Sequence, residues 1–383
     1  VDDMVRFMHF SDTHIGNRQY YMQEREQDFM DSFSEAISIG ISEKVDFFVH
    51  SGDLFDVWNP SNRSLTFLRD SMIELREKGI KVYMVLGDHD RPKRVDYPAA
   101  EIFDFLGITV LGKDGFQGMD LEIKGEPLFL GGISNMKGIR RDRLPEEYKK
   151  ASSQAEGKKN SVLISHQGVT GFGLIDEACE IRKEEIPGNF SYLAFGHIHE
   201  GTTSTIGNSL FSYAGSSEIC STNEIQSFLK KGKSVNIVEI GGGEAKLDRI
   251  PLNSVRMQAS IKADGSDYME RIYKFLQSVQ SRIENKKPII SVEISGDVDR
   301  ARVKTDLDSL SDRAIIRKPV FQSLEMHMER RPDLTMIDDY FKAYFKDDEM
   351  ALLAKKIFES TQSEDRDQAF KQIRELFSIG DAQ

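Results

Sequence analysis

Apolar residues recur along the first 110 positions in short runs that alternate with amphipathic stretches. Met4 to Phe10 reads as a strand running into Ser11-Asp12-Thr13-His14. Gln23 to Ser42 reads as a helix, with Phe29, Phe33, Ile37 and Ile41 four apart on one face. Val45 to His50 is the next strand and ends at Gly52-Asp53-Leu54-Phe55. Asn62 to Lys78 is a helix with Leu65, Leu68, Met72 and Leu75 on one stripe, and Gly79 suits its C-terminal cap. Ile80 to Leu86 is a strand ending at Gly87-Asp88-His89-Asp90. A short helix over Tyr97–Leu106 and a strand over Ile108–Leu111 continue the rhythm. Strand and helix alternating in this way predict an α/β layered fold.

The pattern then changes. Met119 to Ile133 reads as short strands with turn residues, and the polar stretch Ser152 to Asn160 reads as a loop. Buried strands are expected at Ser161–Ile164, running into His166, and at Tyr192–Phe195, running into Gly196-His197-Ile198-His199. Thr202–Ile206, Leu210–Ala214 and Ser234–Ile240 read as an antiparallel run. Two sheets packed face to face between helices are expected. A boundary falls near Pro251 to Ser254. Beyond it come a strand (255–262), a helix (267–283), a strand (288–294), a helix (300–310) and a strand (314–319), enough for a small α/β domain. After Arg331-Pro332 the chain reads as polar, amphipathic helices over Leu334–Phe345, Asp347–Thr361 and Asp365–Phe377. The expected domains are therefore 1–253, 254–332 and 333–383.

Composition adds three constraints. No apolar run approaches the roughly 18 residues of a membrane-spanning helix, and no signal peptide is visible, so a cytoplasmic protein is expected. The two cysteines, Cys179 and Cys220, make no disulfide framework and are expected to be buried and structural. The net charge of −12 argues against nucleic-acid affinity over the whole surface. Residues 255–333 nonetheless hold 15 Lys and Arg against 13 Asp and Glu, so one slightly basic module sits on an acidic body.

Strand ends carry the candidate chemistry. A carboxylate lifted onto a tight Gly turn is well placed to reach two cations, which makes Asp53 the candidate bridging ligand. Asp12 and His14 are two apart, as are His197 and His199; on an extended segment such pairs face one way and can reach one ion. Carboxylate with neutral imidazole suits Mn²⁺, Zn²⁺ or Fe²⁺. Two such ions roughly 3.5–4 Å apart can clamp the attacking and leaving oxygens of a phosphate displacement. His89 followed by Asp90 reads as an imidazole oriented by a carboxylate, able to protonate a leaving oxygen. Each motif alone is weak, but five of the eight histidines fall at strand ends in this one pattern. His9, His50 and His327 lie outside it and read as structural or surface residues.

In these motifs the chain resembles the calcineurin-like metallophosphoesterases, whose pattern is D-x-H, G-D, G-N-H-D/E, a lone H and G-H-x-H. More narrowly, Phe10-Ser11-Asp12-Thr13-His14-Ile15-Gly16, Gly52-Asp53-Leu54-Phe55, Ser165-His166-Gln167-Gly168 and Gly196-His197-Ile198-His199 resemble the nuclease subunits of double-strand-break repair complexes. That resemblance implies a four-layer α-β-β-α sandwich with a small cap and a helical tail. It implies one ion on Asp12, His14, Asp53 and His199, and a second on Asp53, Asp88, His166 and His197. His89, positioned by Asp90, would act near the leaving group. It further implies Mn²⁺ as the foremost cofactor and DNA ends as substrate. A homodimer is implied through the helices at 62–78 and 97–106, with an SMC-like coiled-coil ATPase docked on 334–383.

Two departures stand out. The family has asparagine at Asp88, so the ligand charge here goes from −2 to −3, counting Asp12 and Asp53. Its repair nucleases usually carry a second histidine where this chain has Asp56. Both departures keep open a DNA-end-binding scaffold with a weakened site, and the shared chemistry keeps open a small-substrate phosphodiesterase or phosphatase.

Overall fold

The structure, a computed structural model, describes residues 4–92, 97–172, 178–282, 286–296 and 298–322, with Met350, Leu352, Ala354 and Lys355. Strands β1 (Val5–Phe10), β2 (Phe47–His50), β3 (Lys81–Met84) and β4 (Ile108–Val110) lie side by side in parallel. A second sheet contains β5 (Gln117–Ile123), β6 (Glu126–Ile133), β7 (Ser161–His166), β8 (Tyr192–Gly196), β9 (Thr202–Ile206) and β10 (Ser209–Tyr213), in the order β5-β6-β7-β8-β10-β9. Its central pairs, β6–β7, β7–β8 and β8–β10, are parallel. The chain then returns to the first sheet. There β11 (Ser234–Gly241) pairs antiparallel with β1, and β12 (Glu244–Pro251) pairs antiparallel with β11.

The expected antiparallel run over 202–240 is thus broken. Only β9 and β10 pair antiparallel, and β11 belongs to the other sheet. β12 was not among the expected strands, although its alternation of exposed and half-buried residues is that of an antiparallel strand at a sheet edge.

Alternate residues of each strand go to different cores. Phe7, Phe47, Val49, Tyr83 and Val238 face Leu130, Val162, Ile164, Tyr192 and Ala194 between the sheets. Met8, Phe10 and Phe48 face outward, under α1 (Gln23–Ser42) and α2 (Asn62–Glu77), against Phe33, Ile37, Leu68 and Met72. The outer face of the second sheet is covered by α3 (Leu144–Ala155), through Leu144, Tyr148, Ala151 and Ala155. The result is a four-layer α-β-β-α sandwich. With both strand faces buried there is no polar alternation to read, which is why these strands appear as continuous apolar runs.

Two local expectations need correction. The polar segment 152–160 begins inside α3, whose C-terminal half faces the sheet with the small Ala151 and Ala155. The 97–106 segment is a 3₁₀ helix over Ala99–Leu106, kinked at Phe103 and closed by Gly107 at φ 102°.

After α4 (Ile225–Lys231) and the two returning strands, β13 (Gln258–Asp264), α5 (Tyr268–Ser278), β14 (Ile289–Ser295), α6 (Arg300–Asp308) and β15 (Ile315–Ile316) follow in the predicted order. Tyr268, Ile272, Leu276, Ile290, Val292, Val303 and Leu307 form their own apolar cluster. Where the chain enters this segment, a buried ion network meets α1. Asp28 accepts from Arg25 (2.7 Å) and from Arg256 (2.6 and 3.0 Å), and lies 3.0 Å from the Lys286 ammonium. Arg25 also reaches Glu218 at 3.2 Å.

Residues 322–383, with 295–297, form a second compact unit. Of it Met350, Leu352, Ala354 and Lys355 are helical, and the predicted helices Leu334–Phe345 and Asp365–Phe377 lie outside the described residues. No helix among the described residues is long and apolar enough to cross a membrane.

Candidate metal centre

The carboxyl ends of the parallel strands in both sheets converge, and every residue singled out at a strand end lies there, His166 as the last residue of β7 and the others in the loops. The loop after β1 is laced to the loop after β2: Asp12 N donates to Gly52 O (3.0 Å), His14 N to Asp53 O (3.1 Å) and Ile15 N to Leu54 O (2.9 Å). Convergence does not come from strand alternation, as the i, i+2 spacing predicted. Asp12 (φ 49°), His14 (φ 41°), Asp53 (φ 55°) and His197 (φ 94°) are all left-handed, a conformation L-residues adopt at a cost. Gly52 and Gly87 make the approach possible: a Cβ on Gly87 would collide with the Asp53 carboxylate, and one on Gly52 with the His166 ring.

Asp53 is central. Its Oδ2 lies 3.8 Å from His14 Nε2 and 3.4 Å from His166 Nε2, while its Oδ1 accepts from His89 N at 2.9 Å. Asp88 Oδ1 lies 3.4 Å from both His166 Nε2 and His197 Nδ1. His199 Nε2 lies 3.3 Å from His14 Nε2 and 3.9 Å from Asp12 Oδ1. His197 and His199 therefore diverge, one toward Asp88 and the other toward His14. Asp12 accepts from His197 N at 3.1 and 3.2 Å and from the Ser11 hydroxyl, which joins the two sheets across the site.

The distal nitrogens of two imidazoles are anchored. His166 Nδ1 donates to Ser51 O (2.7 Å), and His199 Nδ1 bonds Glu224 Oε1 (2.9 Å). Such bonds hold the other nitrogen aimed and basic. His166 Nε2 and Asp88 Oδ1 are buried without a hydrogen-bond partner. Buried polar atoms are rarely left so, and a divalent cation would satisfy both. The donor set, carboxylate and imidazole aimed at shared points, fits Mn²⁺, Fe²⁺ or Zn²⁺. Groups able to hold an ion include Asp12-Asp53-His166 and Asp88-His166-His197.

Electrostatics favour the same use. Burial alone pushes the His14 imidazole down, but Asp56, Asp53 and Asp12 outweigh it and raise its pKa to about 9. His166 is raised in the same way by Asp53 and Asp88. Without a cation both imidazoles are pushed toward their protonated forms. Mn²⁺ uptake is expected to release protons, and affinity to climb from pH 6.5 to about 9. Calorimetry in two buffers of different ionisation heat measures this; proton-neutral binding at pH 7 would place the cations elsewhere.

Asp90 does not orient His89. Its carboxylate accepts from Gly87 N (2.9 Å), Leu54 N (3.2 Å) and Phe55 N (3.0 Å), and so clamps the Asp53 turn. Burial and the Asp53 charge push it up to about 6, against those three donors. His89 Nδ1 instead donates to Asp56 O at 2.6 Å, and the exposed ring stands edge-on to His14 at 4.8 Å between centroids. The Asp56 carboxylate accepts from Asn17 Nδ2 (2.8 Å) and lies 3.5 Å from His14 Nδ1.

His9 and His50 are buried, pushed down to about 3 chiefly by burial, and bonded to Tyr192, Ser51 and Thr13. His327 lies outside the described residues. Cys179 is buried, but Cys220 is only partly so, and its sulfur stands within 4.8 Å of the His14 and His199 ligand atoms. Glu224 was missed by sequence reasoning. Ser221-Thr222-Asn223-Glu224 is legible as a capping box, and Ser221 N does donate to Glu224 Oε1 (3.0 Å), but that signal marks a helix start rather than a partner for His199.

The model of the calcineurin-like phosphoesterase family matches residues 5–201. The DNA double-strand break repair protein Mre11 of Thermoplasma acidophilum is 43% identical over 370 residues, covering 97% of this chain and 98% of that one. The chain belongs to the calcineurin-like phosphoesterases, among the Mre11 repair proteins. Two further Mre11 proteins lie at greater distance. That of Sulfolobus acidocaldarius is 31% identical, covering 80% of each chain, and that of Methanocaldococcus jannaschii is 30% identical, covering 82% of each. In this Mre11-family chain the family match spans the loops from Asp12 to His199 but not the loop after β10 that carries Glu224.

Proposed function

We propose that this protein is a Mn²⁺-dependent DNA nuclease that processes DNA ends in double-strand-break repair. The observation that carries the reading is Asp53 Oδ2, which faces the His14 and His166 imidazoles at once. One ion would be held by Asp12, His14, Asp53 and His199, the other by Asp53, Asp88, His166 and His197. Two divalent ions supply Lewis acidity to a phosphodiester and lower the pKa of water. The chain's own residues do the rest. Ser51 O and Glu224 hold the His166 and His199 rings in register. Asp90 holds the Asp53 turn. His89, its Nδ1 fixed on Asp56 O, keeps Nε2 for the leaving oxygen.

Three further assignments belong to this reading. Residues 254–332 form a DNA-binding cap after the nuclease domain 1–253. Residues 333–383 dock an SMC-like coiled-coil ATPase. Two copies pair through α2 and the 3₁₀ helix, where Ile73, Ile102 and Phe105 are exposed. The test is cleavage of labelled linear duplex and hairpin DNA with Mn²⁺, beside a chromogenic phosphodiester. His89→Ala is expected to lower DNA cleavage roughly 10²–10⁴-fold, the range of general acid–base catalysis, with DNA affinity unchanged. Equal cleavage by the variant would remove His89 from the mechanism. Turnover of the chromogenic ester alone would point to a small-substrate esterase.

A further inference from the structure

Asp88 uses its two oxygens differently. Oδ1 faces His166 and His197 and has no hydrogen-bond partner, whereas Oδ2 lies 2.9 Å from the ammonium of Lys137. Lys137 follows β6, in a segment tied to the loops on both sides of it. Asn135 N donates to Leu86 O (2.8 Å), and Leu86 N to Ser134 Oγ (2.9 Å), next to Gly87-Asp88. Asn135 Nδ2 donates to His166 O (3.0 Å), and Gln167 Nε2 to Ser134 O (3.1 Å). The lysine is therefore delivered to Asp88 by the same backbone that fixes Leu86 and His166. Its other acidic neighbour is Glu180, at 3.9 Å, itself 4.0 Å from His197 Nε2 and held by Gly168 N (2.6 Å).

We infer that Lys137, seated on the outer oxygen of Asp88, is a counter-charge residue that offsets the third carboxylate of the centre. Resting on the two-ion reading above, this makes the lysine the counter-charge that keeps the pocket open to an anionic phosphodiester. Asp12, Asp53 and Asp88 together would bind cations firmly but repel the substrate; one ammonium on the outer oxygen of Asp88 moderates both effects. Half exposed as it is, the pair adds little to folding stability. Its effect falls on the ion.

Calorimetric titration of the full chain with Mn²⁺ tests this. A unit charge this near an ion, screened as at a protein surface, changes affinity by roughly tenfold. Lys137→Met is expected to tighten the weaker of two Mn²⁺ sites by about that factor while lowering affinity for a non-cleavable phosphorothioate DNA end. Lys137→Arg is expected to behave as wild type. In an Asp88→Asn background, Lys137→Met is expected to shift Mn²⁺ affinity less than about twofold, because without the carboxylate the ammonium is no longer held beside the ion. An unchanged or weaker Mn²⁺ site in Lys137→Met, or the same shift in both backgrounds, overturns the inference while leaving the two-ion reading intact. A wild-type chain that takes up no Mn²⁺ overturns both.

Discussion

Asp53→Asn is expected to reduce Mn²⁺-dependent DNA cleavage on the order of 10³-fold or more, beyond the roughly 10–100-fold carried by outer partners of metal ligands. The reason is positional. Among the described residues, Asp53 is the one carboxylate within 4 Å of both His14 and His166, and it accepts the backbone N–H of His89 as well. An amide keeps the size but loses the charge, and one of its two polar atoms becomes a donor. Cation stoichiometry by calorimetry is expected to fall below that of the wild type. The fold is expected to survive, since Asp90 rather than Asp53 clamps the turn through Leu54 N and Phe55 N. Undiminished cleavage with full Mn²⁺ uptake would mean that the ions do not share this carboxylate.

The second large effect is on stability. Asp28→Ala is expected to destabilise the protein by about 3–5 kcal/mol, the cost of breaking a buried ion pair from one side. Asp28 is 1% exposed and takes charge from Arg25, Arg256 and Lys286, so its loss leaves the Arg256 guanidinium buried without its carboxylate partner and Arg25 with Glu218 alone. Burial raises the Asp28 pKa, but the bonds and charges of Arg256 and Arg25 outweigh it and hold the carboxyl below its usual value. A depressed carboxylate contributes stability that is present above about pH 4 and is lost as pH falls through the folded pKa. Urea denaturation at pH 7 and at lower pH should therefore show the variant and wild type converging on acidification. A constant gap would assign the loss to packing. Because Arg256 and Lys286 come from beyond Pro251, the same variant is expected to expose the 251–257 segment to protease.

The strand ends were legible because they are where polar residues break into apolar runs. Asp12, His14, Asp53, Asp88, His166, His197 and His199 all stood at such breaks, and all lie at the converging strand ends. The layering was legible for a related reason: Phe7 and Phe10, or Phe47 and Phe48, are apolar on both faces, as a strand between two covered layers requires. What escaped is what depends on distance in space. Asp90 adjoins His89 in sequence, yet three backbone N–H groups from other turns claim its carboxylate. Glu224 is 25 residues from His199 and reaches it through the loop after β10, which Ser216 N ties to His199 O (3.1 Å). Cys220 gave no cue beyond its rarity. The C-terminal half of α3 was hidden because Ala151 and Ala155, rather than large apolar residues, face the sheet there.

Asp12, His14, Asp53 and Asp88 hang from one sheet, and His166, His197 and His199 from the other, with mostly hydrocarbon between them. A pair of cations at that seam would rivet the two slabs together at their rim. Chelation should then loosen more than chemistry: the melting temperature ought to climb with free Mn²⁺, and slow hydrogen exchange should spread through Val49 and Ile164 as the seam closes.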